Sequence, residues 1–466
     1  MCILYCGVLG NIDPIGLKTC ASIRGLKFGT AGSIRNTRDN VNNGQYNQYM
    51  KKNYELFVPA GDLQSQNIWL GENSLLWAND QRIAPWLLRQ ESSISPEKAK
   101  FLLSDYIHTI VSRYKGKITS WDVINEAVDV DPNNPRPFNL RDCFWYRKLG
   151  QDFIKYAFLF AYQADPQVQL YYNDYHIEEW GMKSSKVLQL LTWVRSQGIP
   201  VHGIGMQWHT GLWVTLRPQD SFYHTAQTFI DNGFDIMITE LDVSLTMNGS
   251  VLQNPNDLLK QASLYRSIVQ YALNFRPKLR ALITWGFTDL YSWIPLFSNY
   301  TRGAALPTDE NYQPKPAYWE MQEELARVLP NGIYRLVPES QSDKCLGIYE
   351  NGHPGEVQIY TEQQNNPNQM WNLAWLGDGS YQLIPKSHPT YALTAHRENT
   401  TSSGVNVEHW HSGNNQRWIL SPVTIETYRI APRTVWQRAL SIGSISNVYI
   451  HDYIKNADQN WMFIKL

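Results

Sequence analysis

Trp121-Asp122-Val123-Ile124-Asn125-Glu126 and, 114 residues further on, Asp235-Ile236-Met237-Ile238-Thr239-Glu240-Leu241-Asp242 are β-like runs that each carry a glutamate at or near the C-terminal end. Both are short, apolar and rich in β-branched residues, the texture of strands covered on both faces. They sit within candidate strands Ile118–Asn125 and Phe234–Leu241, and six more runs of the same kind surround them: Leu26–Ala31, Leu56–Ala60, Asn67–Glu72, Val168–Asp174, His202–His209 and Leu279–Phe287. Between most of them lie amphipathic segments with recognisable starts. In Ser95-Pro96-Glu97 the serine can accept from amides left free at a helix N-terminus, and the proline fits the first helical position. Alternation of this kind predicts parallel strands with helical crossovers. Eight units predict an α/β fold, the (β/α)8 TIM barrel.

A chain of 466 residues is too long for one ordinary domain, but a barrel of about 250 to 300 residues plus a smaller module accounts for it. The expected division is an N-terminal segment over residues 1–23, a barrel over 24–328 and a second domain over 331–466. Beyond Asn331 the chain is rich in Gly, Asn, Ser and Thr, and it repeats. Gln369-Met370-Trp371, Gln416-Arg417-Trp418 and Gln459-Asn460-Trp461 recur, each preceded by an alternating run: Val357-Gln358-Ile359-Tyr360, Val407-Glu408-His409-Trp410 and Val448-Tyr449-Ile450-His451. Threefold recurrence at this period predicts three copies of one all-β unit around a shared core.

A formal net charge of -1 supplies no field to recruit nucleic acid or acidic lipid. No run approaches the roughly 20 apolar residues of a membrane span, so no membrane partner is expected. The aromatic content, with 18 Trp and 27 Tyr, is heavy for a core alone and suits flat surfaces that stack on sugar rings. Five cysteines, Cys2, Cys6, Cys20, Cys143 and Cys345, lack both metal-ligand spacing and a disulfide pattern. Met1–Gly10 is apolar without a basic leader, either the remnant of a signal peptide or nothing. The Asn-x-Ser/Thr triplets at Asn248, Asn299 and Asn399 are compatible with a secreted protein. There is no Gly-x-Ser-x-Gly elbow and no dinucleotide-binding fingerprint.

At the C-terminal ends of the predicted strands stand Asn125, Glu126, Asn173, Asp174, Gln207, His209, Glu240 and Trp285. Barrel enzymes place their active sites at that end. Two carboxyl groups there suit hydrolysis of a sugar acetal, one protonating the departing oxygen and one meeting the oxocarbenium-like carbon. His209, close to Glu240, can donate to it and hold it ionised.

The chain resembles a family 10 glycoside hydrolase, the endo-β-1,4-xylanase family, followed by a ricin-type β-trefoil. The likeness rests on Lys27-Phe28-Gly29-Thr30-Ala31, the Trp121–Glu126 motif, Tyr171-Tyr172-Asn173-Asp174-Tyr175, Gly203-Ile204-Gly205-Met206-Gln207-Trp208-His209, Ile238-Thr239-Glu240-Leu241-Asp242, Trp285-Gly286-Phe287-Thr288-Asp289 with Ser292-Trp293, and Lys315-Pro316-Ala317-Tyr318. It implies a retaining double displacement on a β-1,4-linked polysaccharide, xylan first, with Glu126 as general acid/base and Glu240 as nucleophile. It further implies that Asn125 binds the 2-hydroxyl of the sugar, His209 orients Glu240, Gln207 tunes the pair, Trp285 floors the ring, and Asn173, Trp77 and Trp293 complete the cleft. No metal or organic cofactor enters that scheme, and a monomer is expected.

The departures from the family pattern bear on substrate grip. Pro59-Ala60-Gly61-Asp62-Leu63-Gln64 replaces a Pro-Glu-Asn segment with a following lysine, Asn73 stands where the family has histidine, and Ala78 stands where a second histidine is common. Only Gly61–Gln66 separates the second and third predicted strands, short for a helical crossover, so either the barrel lacks one helix there or a segment has been lost. In the trefoil the usual sugar-binding aspartates are replaced by Gly347, Thr394 and Ser441, leaving Tyr360, Trp410 and His451 as stacking platforms. The Gln-x-Trp tryptophans read as core. Two further readings stay open at this level: a glycan-binding protein whose barrel turns over little, and a related β-1,4-glycanase of altered specificity.

Overall fold

Eight strands run parallel in the first of two compact units, Ile15–Met321. They are β1 (Lys27–Gly32), β2 (Leu56–Pro59), β3 (Ser74–Trp77), β4 (Ser120–Asn125), β5 (Gln169–Asp174), β6 (Gly203–Met206), β7 (Asp235–Asn248) and β8 (Leu279–Thr284). Their spatial order, β2-β1-β8-β7-β6-β5-β4-β3, is sequential around a barrel; β2 and β3 do not pair among the described residues. This computed structural model describes residues 16–33, 36, 41, 44–59, 74–217, 219–349, 355–376, 380–396, 403–423, 426–435, 438–443, 446–454 and 456–466.

The expected third strand, Asn67–Glu72, and Asn73 lie outside the described residues. The strand that pairs with β4 is instead Ser74–Trp77, in the register Ser74↔Asp122, Leu76↔Ile124 and Trp77↔Asn125. The expected connection Gly61–Gln66 lies outside the described residues as well. Both candidate strands are apolar, and only the register against a partner strand, which a local pattern does not contain, decides between them.

Helices form where the pattern places an apolar stripe. Pro96–Arg113 is capped by Ser95, whose Oγ accepts from Lys98 N at 3.2 Å, and it buries Ala99, Leu103, Ile107, Ile110 and Val111 along one face. Asp152–Ala164 buries Phe153, Ile154, Ala157, Phe158, Phe160, Ala161 and Ala164. Complete burial of one such large side chain contributes about 1.5 to 3 kcal/mol. Gly203 lets β5, β6 and β7 close up, since a Cβ there would stand 2.3 Å from the Tyr171 ring and 2.5 Å from Asp235 O.

Leu279–Phe287 is a strand only as far as Thr284, and two other barrel strands depart further from their expected lengths. β6 stops at Met206, before Trp208 with its φ of 63°, and His209–Gly211 resumes as a short strand along Asp242–Ser244. β7 runs on to Asn248 because its far end pairs with His209–Gly211, Val251–Leu252 and Arg302–Gly303.

The second unit, whose described residues fall within Gln322–Leu466, consists of β-strands and short 3-10 turns beyond a helix that ends at Ala326. Six antiparallel strands, Gly332–Pro338, Trp371–Trp375, Tyr381–Pro385, Trp418–Pro422, Thr427–Pro432 and Asn460–Lys465, close into a barrel. Three hairpins accompany it: Lys344–Ile348 with Val357–Thr361, Tyr391–Ala395 with Ser403–His409, and Arg438–Ile442 with Val448–Asp452. Trp371, Trp418 and Trp461 are fully buried, and their Nε1 atoms donate to Leu346, Leu393 and Leu440 carbonyls at 2.9 Å in each case. The repeat in the sequence is thus a repeat in the core, with one buried indole and one hydrogen bond per copy.

Candidate active site

Glu126 follows β4 directly and has a φ of 55°, in the left-handed region that is uncommon for side-chain-bearing residues. Its amide is held by Asn173 O at 2.9 Å. Gln207 Nε2 donates to Glu126 Oε1 at 2.9 Å and Asn125 Nδ2 approaches the same oxygen at 3.4 Å. The Arg141 guanidinium stands 3.8 Å from Oε2. Burial, then the negative charge of Asp174, push the Glu126 pKa above the usual carboxyl range. Gln207 and Arg141 act against that shift without reversing it, and the charge of Glu240 adds the smallest upward contribution.

Glu240, within β7, is buried and doubly held. Asn173 Nδ2 donates to its Oε1 at 2.7 Å, and His209 Nε2 meets its Oε2 at 3.2 Å. The other nitrogen of His209 lies 2.8 Å from Asp242 Oδ2, which also accepts from Trp293 Nε1 at 3.0 Å. Burial works to lower the His209 pKa, but the charge and hydrogen bond of Asp242, then those of Glu240, outweigh it and hold the ring well above its ordinary value. Each nitrogen of the resulting imidazolium donates to a carboxylate. Glu240 and Asp242 share a strand face by the two-residue period, which is how one ring reaches both.

The two carboxyl groups are joined through amides. Asn173 Nδ2 donates also to Asn125 Oδ1 at 3.0 Å, Gln207 Nε2 approaches that oxygen at 3.3 Å, and Thr239 Oγ1 fixes Asn173 Oδ1 at 2.7 Å. Asn125, Asn173, Gln207, His209, Glu126 and Glu240 therefore form one connected constellation. Trp285 and Trp293 lie beside it, with ring centroids 6.4 Å and 5.0 Å from that of His209. Trp77 sits opposite Asn125 in the β3–β4 pairing, its ring under the Arg82 guanidinium at 4.6 Å.

Several residues of this network are not among the expected site residues. Asp242 had a signal, two residues beyond Glu240 in the same strand. Asp174, read from the sequence at its strand end beside Asn173, is fully buried and accepts from Tyr172 OH and Lys183 Nζ, each at 2.6 Å. Arg141 comes from an irregular loop, where no periodicity marks it. Asp122, lower on β4, carries a carboxyl that burial, helped by the charge of Glu240, pushes up to about 7.

The sequence profile of glycosyl hydrolase family 10 matches residues 62–324, more than half of the chain. The chain belongs to glycosyl hydrolase family 10. The profile of the ricin-type beta-trefoil lectin domain matches residues 333–461. Among family 10 relatives, endo-1,4-beta-xylanase B of Thermotoga neapolitana is 39% identical over 254 residues, covering 54% of this chain and 68% of that protein. Endo-1,4-beta-xylanase A of Caldicellulosiruptor sp. (strain Rt8B.4) is 34% identical over 271 residues, covering 55% of this chain but 37% of that longer protein. The crystal structure of native xylanase 10B from Thermotoga maritima aligns with a TM-score of 0.60 at 30% identity, over 67% of this chain and 98% of that one. Xylanase 10B from Thermotoga petrophila RKU-1 in complex with xylobiose aligns equally well, with a TM-score of 0.60 at 30% identity, over 68% and 99%.

In the trefoil of this family 10 chain, the positions expected to stand in place of the usual aspartates are buried. Thr394 and Ser441 are buried; their hydroxyls donate to Ala392 O at 2.9 Å and Ala439 O at 3.0 Å and accept from Gln416 and Gln459. At Gly347 a Cβ would meet the Tyr360 ring at 2.9 Å, so that ring occupies the space a side chain would need. Tyr360, Trp410 and His451 are each half-buried.

Proposed function

We propose that the protein is a retaining, endo-acting hydrolase of a β-1,4-linked polysaccharide, with xylan as substrate. The observation that carries this reading is the opposite treatment of the two carboxyl groups: burial and Asp174 favour the protonated form of Glu126, while Glu240 accepts from Asn173 and from a cationic His209. In the first step Glu126 gives its proton to the departing glycosidic oxygen as a Glu240 oxygen bonds to the anomeric carbon and the old C–O bond breaks. The product is a glycosyl ester on Glu240. Esterification removes the charge of Glu240, one of the causes that raise the Glu126 pKa, so Glu126 becomes the stronger acid and serves next as base. It then takes a proton from water, whose oxygen attacks the same carbon and frees Glu240. The names of the relatives, and the xylobiose bound by one of them, support xylan as the substrate.

The trefoil acts in this reading as a tether that raises the local concentration of the polysaccharide, with Tyr360, Trp410 and His451 as its platforms. Export from the cell fits the exposed Asn248 and Asn299, which offer glycosylation sites at the surface.

The test is incubation of the full chain with xylan, mixed-linkage glucan and mannan, following new reducing ends, together with Glu240→Gln and Glu126→Gln. Release from xylan that disappears in Glu240→Gln, with proton NMR showing β-configured first products, is the expected result. An α-configured first product would refute the ester intermediate, and equal turnover in Glu240→Gln would refute the site.

A further inference from the structure

Trp213 lies outside the constellation described above and is 63% exposed. A lone surface tryptophan needs no explanation, but this one is fixed on two sides. The Arg302 guanidinium covers one face, 3.9 Å from the ring centroid. The edge of the ring rests on Gly211, where a Cβ would stand 2.2 Å from Trp213 Cζ3 and 2.3 Å from Arg302 Nη2, so glycine is required for the arrangement. Arg302 is itself anchored: Nε and Nη2 donate to Ser244 Oγ at 3.0 and 2.6 Å, and Nη2 donates to Ser244 O at 3.2 Å. Ser244 Oγ in turn donates to Thr210 O at 2.9 Å.

The ladder that carries this assembly also carries His209, which holds Glu240. His209–Gly211 pairs with Asp242–Ser244 residue by residue. Ser244 lies four residues beyond Glu240 on the same strand, roughly 13 Å at the usual strand rise. That distance exceeds the span of one pyranose ring, so the indole that Arg302 ties to Ser244 stands apart from a sugar held at Glu240.

We propose that Trp213 is a stacking platform for a neutral sugar ring of the bound β-linked chain, outside the ring being cleaved, with Arg302 holding the indole from behind. The proposal rests on the polysaccharide-cleaving reading of the cleft. Stacking recognises the apolar C–H face of a pyranose and asks for no particular hydroxyl pattern. The platform therefore adds affinity for long chains and leaves short substrates indifferent.

The experiment compares the wild type with Trp213→Ala and Trp213→Phe in the full chain, on xylan and on an aryl β-xylobioside too short to reach the indole. Trp213→Ala is expected to raise KM for xylan roughly tenfold, with kcat and the xylobioside kinetics within twofold, and Trp213→Phe to restore most of the loss. Binding of xylohexaose and xylobiose to Glu240→Gln, with and without Trp213→Ala, reads the same site without turnover; the hexaose alone should weaken. Xylan hydrolysis unchanged in Trp213→Ala overturns the platform and leaves the catalytic reading standing, whereas equal losses on both substrates with a lowered Tm assign Trp213 a structural role instead. A protein that turns over nothing, yet binds hexaose in a Trp213-dependent way, keeps the platform and refutes the hydrolase; one that binds no oligosaccharide overturns both.

Discussion

Gly205, in the middle of β6 between partners Asn173 and Met237, supports the site without touching the carboxyl group of Glu126 or Glu240. A Cβ at this position would lie 2.5 Å from Asn173 Oδ1 and 2.9 Å from Thr239 Cγ2. The first distance is roughly 1 Å short of normal non-bonded contact, so Gly205→Ala must displace the Asn173 amide. That amide donates at 2.7 Å to Glu240 and at 3.0 Å to Asn125, and a shift of this size takes both out of bonding range. A hydrogen bond to a charged group contributes about 1.5 to 3 kcal/mol, which corresponds to a fall in kcat/KM of roughly 10- to 150-fold. Asn173→Ala removes the same bonds and also the atom that obstructs the new methyl group. The double variant should therefore be no more than about threefold worse than Asn173→Ala alone, a strong departure from additivity. The assay is steady-state hydrolysis of an aryl xylobioside by the wild type, both single variants and the double, with Tm checked for each. If Gly205→Ala costs its full factor again in the Asn173→Ala background, it acts through the backbone or Thr239, and the reasoning about Asn173 is wrong.

Three further expectations follow from the same geometry. The folded Asp122 pKa of about 7 stands above the ordinary aspartate value of 3.8, so the folded chain keeps a proton that the unfolded chain has lost. Its stabilising contribution is complete below about pH 4 and disappears as pH rises through 7, on a scale of about 1.4 kcal/mol per pKa unit. Melting curves over that range should fall less for Asp122→Asn than for the wild type, and parallel curves would count against it. Lys183→Met leaves Asp174 buried without its 2.6 Å ion-pair partner and should cost about 3 to 5 kcal/mol in urea unfolding. Trp418→Phe removes the bond to Leu393 O and should destabilise the trefoil by about 1 to 3 kcal/mol, seen in calorimetry, while kcat on a short soluble substrate stays unchanged.

The parts of the fold that were legible are those in which one short segment determines its own state. Strands covered on both faces leave apolar runs, and a serine before a proline marks a helix start, as Ser95 and Lys98 N bear out. The trefoil tryptophans were readable as core because three copies must solve one packing problem in one way. What failed was the third strand. An apolar run at 67–72 and another at 74–77 are locally equivalent, and only pairing against β4 separates them. The stop in β6 was hidden for a related reason: Met206 to His209 keeps a strand-like composition, but Trp208 is left-handed, with its amide held by the buried Glu178 carboxylate at 2.7 Å. That acceptor comes from thirty residues upstream, beyond the reach of any local pattern.

The same break explains how neighbouring side chains serve two carboxyl groups. In an unbroken strand, residues two apart share a face and lie some 6.6 Å apart along it. Gln207 and His209 would then follow one direction. With Trp208 in the left-handed region between them, Gln207 turns its amide to Glu126, and His209 runs beside β7, where Glu240 and Asp242 hold its two nitrogens. One strained residue thus separates a neutral donor, placed on the carboxyl group whose pKa burial and Asp174 raise, from a cation placed on the other carboxyl group. Exchanging the two partners would put a positive charge beside Glu126 and lower its pKa, while leaving Glu240 with only neutral donors. The difference in surroundings between two chemically identical side chains is therefore set by the backbone between their supporters, and it becomes visible only once β4, β5, β6 and β7 are brought side by side.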